Sequence, residues 1–144
     1  MTEDHAVQDS LPIRYRPWGL SELIGQPYAT QVIGGALKKN RMPRSVILMG
    51  PTGTGKTTCG RIIGTHINCQ KRKGEKICLS SKKKRKKGNL CESCRLALLK
   101  CHPDIHEING ANSRKIDDVR SIISYADTNP TFNSGFLLSM NYRN

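Results

Sequence analysis

Apolar positions in this chain come in short runs whose spacing changes from one run to the next. Residues 11–27, LPIRYRPWGLSELIGQP, hold three prolines and scattered apolar side chains. They predict an irregular lead-in with a short helix near Leu20–Ile24. Residues 28–39, YATQVIGGALKK, set Val32, Ile33, Ala36 and Leu37 on one helical face. Gly34 and Gly35 weaken that helix by roughly 1 kcal/mol each relative to alanine, and Pro43 ends the pattern. The run SVILMG (Ser45–Gly50) is continuously apolar and closes on glycine, the pattern of a strand buried on both faces of a parallel sheet. Gly55 to His66 reads as helix, with Cys59, Ile62 and Ile63 inward. Residues 70–90 are charged and predict no regular structure, and Cys91–Lys100 reads as a short helix.

DIHEI (Asp104–Ile108) alternates as a strand does. IDDVRSIISYA predicts an amphipathic helix with Ile116, Val119, Ile122, Ile123 and Ala126 on its apolar face and Ser113 as a cap. FLLSM (Phe136–Met140) supplies a third strand. Strands alternating with helices predict an α/β fold with a parallel sheet.

Size and charge narrow this picture. The chain has 144 residues, enough for one modest domain with its own core, and 36 % of them are hydrophobic. No run of apolar residues is long enough to span a membrane, and MTEDHAVQDS has no basic and apolar leader, so a cytoplasmic location is expected, with residues 1–10 as a loose tail. The net charge of +13 suggests a polyanionic partner, but ten of the 24 Lys and Arg lie between Lys71 and Lys87. The charge therefore describes one loop and not a whole face.

Residues 50–58 read GPTGTGKTT and match G-x-x-x-x-G-K-[ST] at Gly50, Gly55, Lys56 and Thr57. An apolar run precedes the motif and an amphipathic helix follows it. Glycines there let the backbone aim several N–H groups at one anion, and the helix adds the positive end of its dipole. Gly50, Pro51, Thr52, Gly53, Thr54, Gly55, Lys56, Thr57 and Thr58 are the candidate triphosphate cradle. Lys56 would meet the β- and γ-phosphates, and the Thr57 hydroxyl would ligate Mg²⁺. The bland alternative is a chance glycine-rich turn.

Of the six cysteines, Cys69, Cys78, Cys91 and Cys94 show the spacing C-x8-C-x12-C-x2-C, ending in the tight pair used by zinc ribbons and knuckles. Four thiolates suit a closed, structural Zn²⁺ site. The intervening residues look too polar to build a core, and the neighbouring lysines favour thiolates. The alternative is ordinary reduced cysteines. Cys59 is expected in the core; Cys101 could compete as a ligand but lies beyond a helix.

Taken together, YRPWGLSELIGQ, GPTGTGKTTCGRIIGTHINC and CESCRLALLKCHPDIHEINGANSRKIDDVRSI resemble the tau/gamma subunit of bacterial DNA polymerase III, the ATP-driven motor of the sliding-clamp loader, over residues 12–132. The resemblance implies a P-loop NTPase of the AAA+ class: a parallel sheet flanked by helices, incomplete here, with an inserted four-cysteine zinc module. It divides the chain into a nucleotide-binding part at 11–68, a zinc module at 69–94 with a basic insertion at 79–90, and the second part of the core at 95–144. It places Tyr15, Arg16, Pro17, Ile24 and Gly25 against adenine and ribose, where the bland alternative is packing of an N-terminal arm. It implies ATP, Mg²⁺ and Zn²⁺ as cofactors, and other clamp-loader subunits and the sliding clamp as partners in DNA replication.

The departures are specific. The family's module has only a couple of residues where this chain has LSSKKKRKKGNL. Lys82–Lys87 could contact nucleic-acid phosphate without reading sequence, resemble a nuclear-localisation run, or form a solvated loop. Asn109 stands where the family favours an acid. The family's metal-binding Asp and water-activating Glu fall on Asn141 and Tyr142. Glu107, Asp117 and Asp118 do not replace that pair. The expectation is therefore ATP binding without hydrolysis by this chain alone, in a motor truncated after its first half. Two alternatives stay open: a stand-alone zinc and nucleotide-binding decoy or regulator, and a basic zinc protein that binds nucleic acid.

Overall fold

The computed structural model describes residues 11, 15–74, 76–80, 89–109, 120, 123–124, 127, 130–132 and 137–141. The basic run Lys82–Lys87, the acids Asp117 and Asp118, the cap Ser113 and most of the helix expected over 116–126 lie outside them, as does Tyr142. Of that helix, Arg120, Ile123 and Ser124 are helical, and Ile123, expected on the apolar face, is exposed.

Helix α1 spans Pro27–Lys38. Proline suits its first position because that N–H has no partner inside a helix. Its end is a Schellman motif. Asn40 takes the left-handed conformation (φ 52°), Arg41 N–H reaches Ala36 O at 2.9 Å, and Asn40 N–H reaches Leu37 O at 3.2 Å. Helix α2 spans Lys56–Asn68 and starts from Gly55, also left-handed (φ 88°). Ile33 and Leu37 of α1 pack on Cys59 and Ile63 of α2, with Leu20, Leu23, Met42 and Leu48 around them. Val32, expected on the same inward face, is exposed.

Helix α3 spans Glu92–Leu98 and closes with a second Schellman motif, in which Lys100 is left-handed (φ 59°) and Cys101 N–H reaches Leu96 O at 3.0 Å. Strands β1 (Ile105–Asn109) and β2 (Leu137–Asn141) pair in parallel, with Ile105 opposite Leu137 and Asn109 opposite Asn141. Both strands expected from DIHEI and FLLSM are present, in the parallel arrangement expected of the sheet.

Two expectations are corrected. Ser45–Gly50 is not a strand. Strand hydrogen bonds come from a neighbour, and among the described residues the sheet holds β1 and β2 alone. Leu48 packs inward, while Ile47 and Met49 are 84 % and 88 % exposed. The described sheet thus has two strands, not three. The second correction concerns 70–90. This stretch carries an antiparallel bridge between Lys73 and Lys76 and a 3₁₀ turn at Cys78–Ser80. It also makes a core after all: Ile77 and Leu79 are buried among the cysteines, with Trp18 and Leu90 packed against them.

Candidate nucleotide site and metal centre

The loop Gly50–Gly55 joins the exposed apolar segment to α2. Gly53 and Gly55 both have left-handed φ (87° and 88°), which a side chain at either position would strain. Gly55 is the N-cap of α2 and supplies no side-chain cap, so the first N–H groups of the helix, which have no acceptor inside it, stand at the end of the loop. The Thr54 hydroxyl donates to Pro51 O (2.9 Å) and braces the loop. Lys56 Nζ folds back to donate to Gly50 O (2.7 Å) and Pro51 O (2.5 Å). The ammonium therefore sits over the loop, where an anion would find it.

A cavity of about 330 Å³ opens beside the loop, within the size range of small-molecule sites (about 300–1,000 Å³). Its walls are Pro17, Leu23, Ile24, Gly25 and Gln26 on one side and Gly53, Thr54, Gly55 and Thr58 on the other. Three of the five residues expected against adenine and ribose, Pro17, Ile24 and Gly25, thus meet the phosphate loop across one space. Tyr15 is exposed and does not line it. Arg16 lies near Arg61 and Glu107 instead, and burial beside the Arg61 charge lowers its pKa.

The four cysteines Cys69, Cys78, Cys91 and Cys94 are all buried, and their sulfurs lie within 4.8 Å of one another. Cys69 Sγ is 3.8 Å from Cys78 Sγ and 3.9 Å from Cys91 Sγ. Four sulfurs at about 2.3 Å from a tetrahedral Zn²⁺ stand about 3.8 Å apart, close to the two Cys69 separations, so the four-thiol donor set is of the size and chemistry that could hold a metal ion. Electrostatics favour a thiolate at one corner. The Cys94 thiol and the Cys78 and Lys71 backbone amides hold the Cys69 thiol down to about 5, against the pull of burial. That same hydrogen bond, together with burial, pushes Cys94 up, and burial chiefly raises Cys78. Cys101 is exposed and outside the group, and Cys59 is buried in the α1–α2 core, both as expected.

Some polar positions had no motif to mark them. Arg61 on α2 makes a two-pronged ion pair with Glu107 on β1, Nη2 to Oε2 at 2.6 Å and Nε to Oε1. His102 and Asp104 are buried between α3 and β1. The string CHPD carried the only signal for them, a polar cluster just ahead of a strand. A cavity of about 230 Å³ is walled by Arg61, Glu107 and His102 together with Trp18 and Ala97.

A glycine loop opening onto a helix, a parallel strand pair and an inserted four-cysteine cluster define an α/β chain with the sequence hallmark of the phosphate-loop class. A family model described as DNA polymerase III, delta subunit, matches residues 25–136. The chain belongs to that family of DNA polymerase III clamp-loader subunits, and its resemblance is to the N-terminal region of the tau/gamma type. DNA polymerase III subunit gamma/tau of Mycoplasma pneumoniae is 32 % identical over 109 residues, covering 76 % of this chain and 14 % of the relative. DNA polymerase III subunit tau of Bacillus subtilis is 26 % identical over 75 % of this chain and 17 % of its own length. Protein STICHEL of Arabidopsis thaliana is 31 % identical over 80 % of this chain and 9 % of its own length. The chain therefore spans less than a fifth of the length of these curated relatives. Among the described residues, no helix is long and apolar enough to cross a membrane.

Proposed function

We propose that this chain is the ATP-binding region of a tau/gamma-type clamp-loader subunit acting in DNA replication. The observation that carries the reading is the meeting of the Gly50–Thr58 loop and the lead-in Pro17–Gln26 across one open cavity. The loop's N–H groups and Lys56 suit the phosphates, Thr57 suits Mg²⁺, and the apolar rim of Pro17, Leu23 and Ile24 suits a purine. Cys69, Cys78, Cys91 and Cys94 hold Zn²⁺ as a structural ion, since four thiolates close its coordination shell and leave no position for a reacting water.

Turnover needs more than this site. Asn141, at the end of β2, offers a neutral carboxamide where an anionic metal ligand is required, and Tyr142 brings a phenol, a residue type whose ordinary value of about 10 does not suit a general base near neutral pH. The region binds ATP and does not hydrolyse it by itself. Its partners in this reading are the other clamp-loader subunits and the sliding clamp, reached in the cytoplasm. The basic residues Lys82–Lys87 add sequence-blind contact with DNA that salt removes.

Calorimetric titration of the full chain with ATP and Mg²⁺ tests the reading. One saturable site, competed by ADP and weakly by adenosine, is the expected result, because the loop holds phosphates. A folded chain that takes up no nucleotide overturns it.

A further inference from the structure

We infer that Ser93, His102 and Asp104 form a latch through which the metal state of the cysteine cluster sets the order of Thr131–Phe132 and of the strand pair next to it. The inference rests on the zinc reading of that cluster. Ser93 lies between Cys91 and Cys94 and is fully buried. Its Oγ is 2.9 Å from His102 Nε2. His102 Nδ1 accepts the Asp104 backbone N–H at 3.0 Å. The Asp104 carboxylate in turn accepts Thr131 N–H and Phe132 N–H, each at 2.9 Å. The Phe132 ring closes the path by packing on His102, centroid to centroid 5.0 Å.

The two ends of this path matter. At one end, Asp104 immediately precedes Ile105, the first residue of β1, and the amides it holds lie shortly before Leu137, the first residue of β2, which is Ile105's register partner. One carboxylate therefore ties together the starts of both strands. At the other end stands α3, a helix of seven residues. A helix that short does not hold itself in water. Bound metal would fix Cys91 at its N-cap and Cys94 in its first turn, and with them Ser93.

A Ser–His–Asp set also raises a hydrolase reading, which the geometry excludes. Asp104 meets the ring through its backbone N–H and not its carboxylate, so Nδ1 is an acceptor. Nε2 then carries the proton and donates to Ser93 Oγ, the reverse of a base that takes a proton from serine. The trio holds structure together. Ser93, His102 and Asp104 are all buried, so a broken link among them leaves a buried polar group short of its partner.

The test is amide hydrogen exchange on the full chain, with and without one equivalent of zinc, in the unsubstituted protein and in Ser93→Ala. Zinc content is counted in parallel with a chromophoric chelator. In the unsubstituted chain, zinc is expected to slow exchange at Thr131 and Phe132 by roughly fivefold or more, the size one net hydrogen bond carries. In Ser93→Ala, zinc still binds and that slowing is lost. Bound zinc with unchanged exchange at Thr131 and Phe132 overturns the latch alone, as does a Ser93→Ala chain that keeps the full effect. Failure to bind zinc overturns the zinc reading and the latch with it. Should Ser93→Ala not fold, Asp104→Ala removes both acceptors at the far end of the path and carries the same expectation.

Discussion

Replacing Lys56 with alanine separates the loop's role in binding from its role in folding. Lys56 Nζ donates to Gly50 O and Pro51 O at 2.7 and 2.5 Å, and both bonds are exposed to solvent. Water replaces them at little cost, so Lys56→Ala should leave stability within about 0.5 kcal/mol of the parent, as exposed substitutions usually do. Binding is a different matter. With a triphosphate in place, Nζ exchanges two neutral carbonyls for phosphate oxygens. A hydrogen bond to a charged group contributes about 1.5–3 kcal/mol, and each 1.4 kcal/mol is a factor of ten. The expected loss in ATP affinity is therefore about 10- to 100-fold, with the carbonyls released by Lys56 drawing it toward the lower end. Calorimetry with MgATP measures the affinity, and a thermal melt of the same sample measures the fold. An affinity within twofold of the parent, in a variant that melts normally, refutes the argument that the ammonium over this loop meets the phosphates.

Three further outcomes are expected. Chelation of zinc, or Cys94→Ser, should dissolve the small core of Ile77 and Leu79; Trp18, the chain's only tryptophan, packs against it, so its fluorescence should shift with metal content, and a signal that ignores chelator contradicts the zinc centre. His102 has its pKa lowered, mainly by burial, so the unfolded chain binds more protons below its ordinary value of about 6.5; stability from this group is complete above that pH and is lost as pH falls through the lower folded value, and denaturant midpoints should fall between pH 7 and pH 5 more steeply than in His102→Gln. Ile62, only 1 % exposed on α2, should lose about 2–5 kcal/mol on truncation to alanine, read from urea midpoints at constant slope, and a loss below about 1 kcal/mol would mean that the site collapses around the cavity.

Much of the candidate site was legible because its signals are local. The phosphate loop needs left-handed glycines and a helix start, and GPTGTGKTT states both within nine residues. The helices fall close to where spacing puts them, because the 3.6-residue period of Ile33 and Leu37, or of Cys59, Ile62 and Ile63, is written along one stretch of chain. The grouping of Cys69, Cys78, Cys91 and Cys94 was legible as well, since a tight C-x2-C pair with two further cysteines upstream is a known ligand spacing.

What failed to show is non-local. SVILMG has the composition of a buried strand, yet a strand exists only through hydrogen bonds to a neighbour, and composition names no neighbour. Ile77 and Leu79 looked like stray apolar residues in a charged loop, and only the convergence of four distant cysteines makes a core around them. Tyr15 and Arg16 share a motif with Pro17, but of the three only Pro17 lines the cavity, and Arg16 lies near Arg61 and Glu107. His102 and Asp104 belong to no recognisable spacing, because their partners, Ser93, Thr131 and Phe132, lie on separate segments. The sequence by itself determined the loop, the helices and which four cysteines belong together, since backbone conformation and side-chain chemistry act within a few residues or through residue type. Tertiary structure alone decided which strands pair, which face of the lead-in meets the loop, and how the cysteine cluster joins the strand pair, since burial and hydrogen bonding act between segments that sequence order does not bring together.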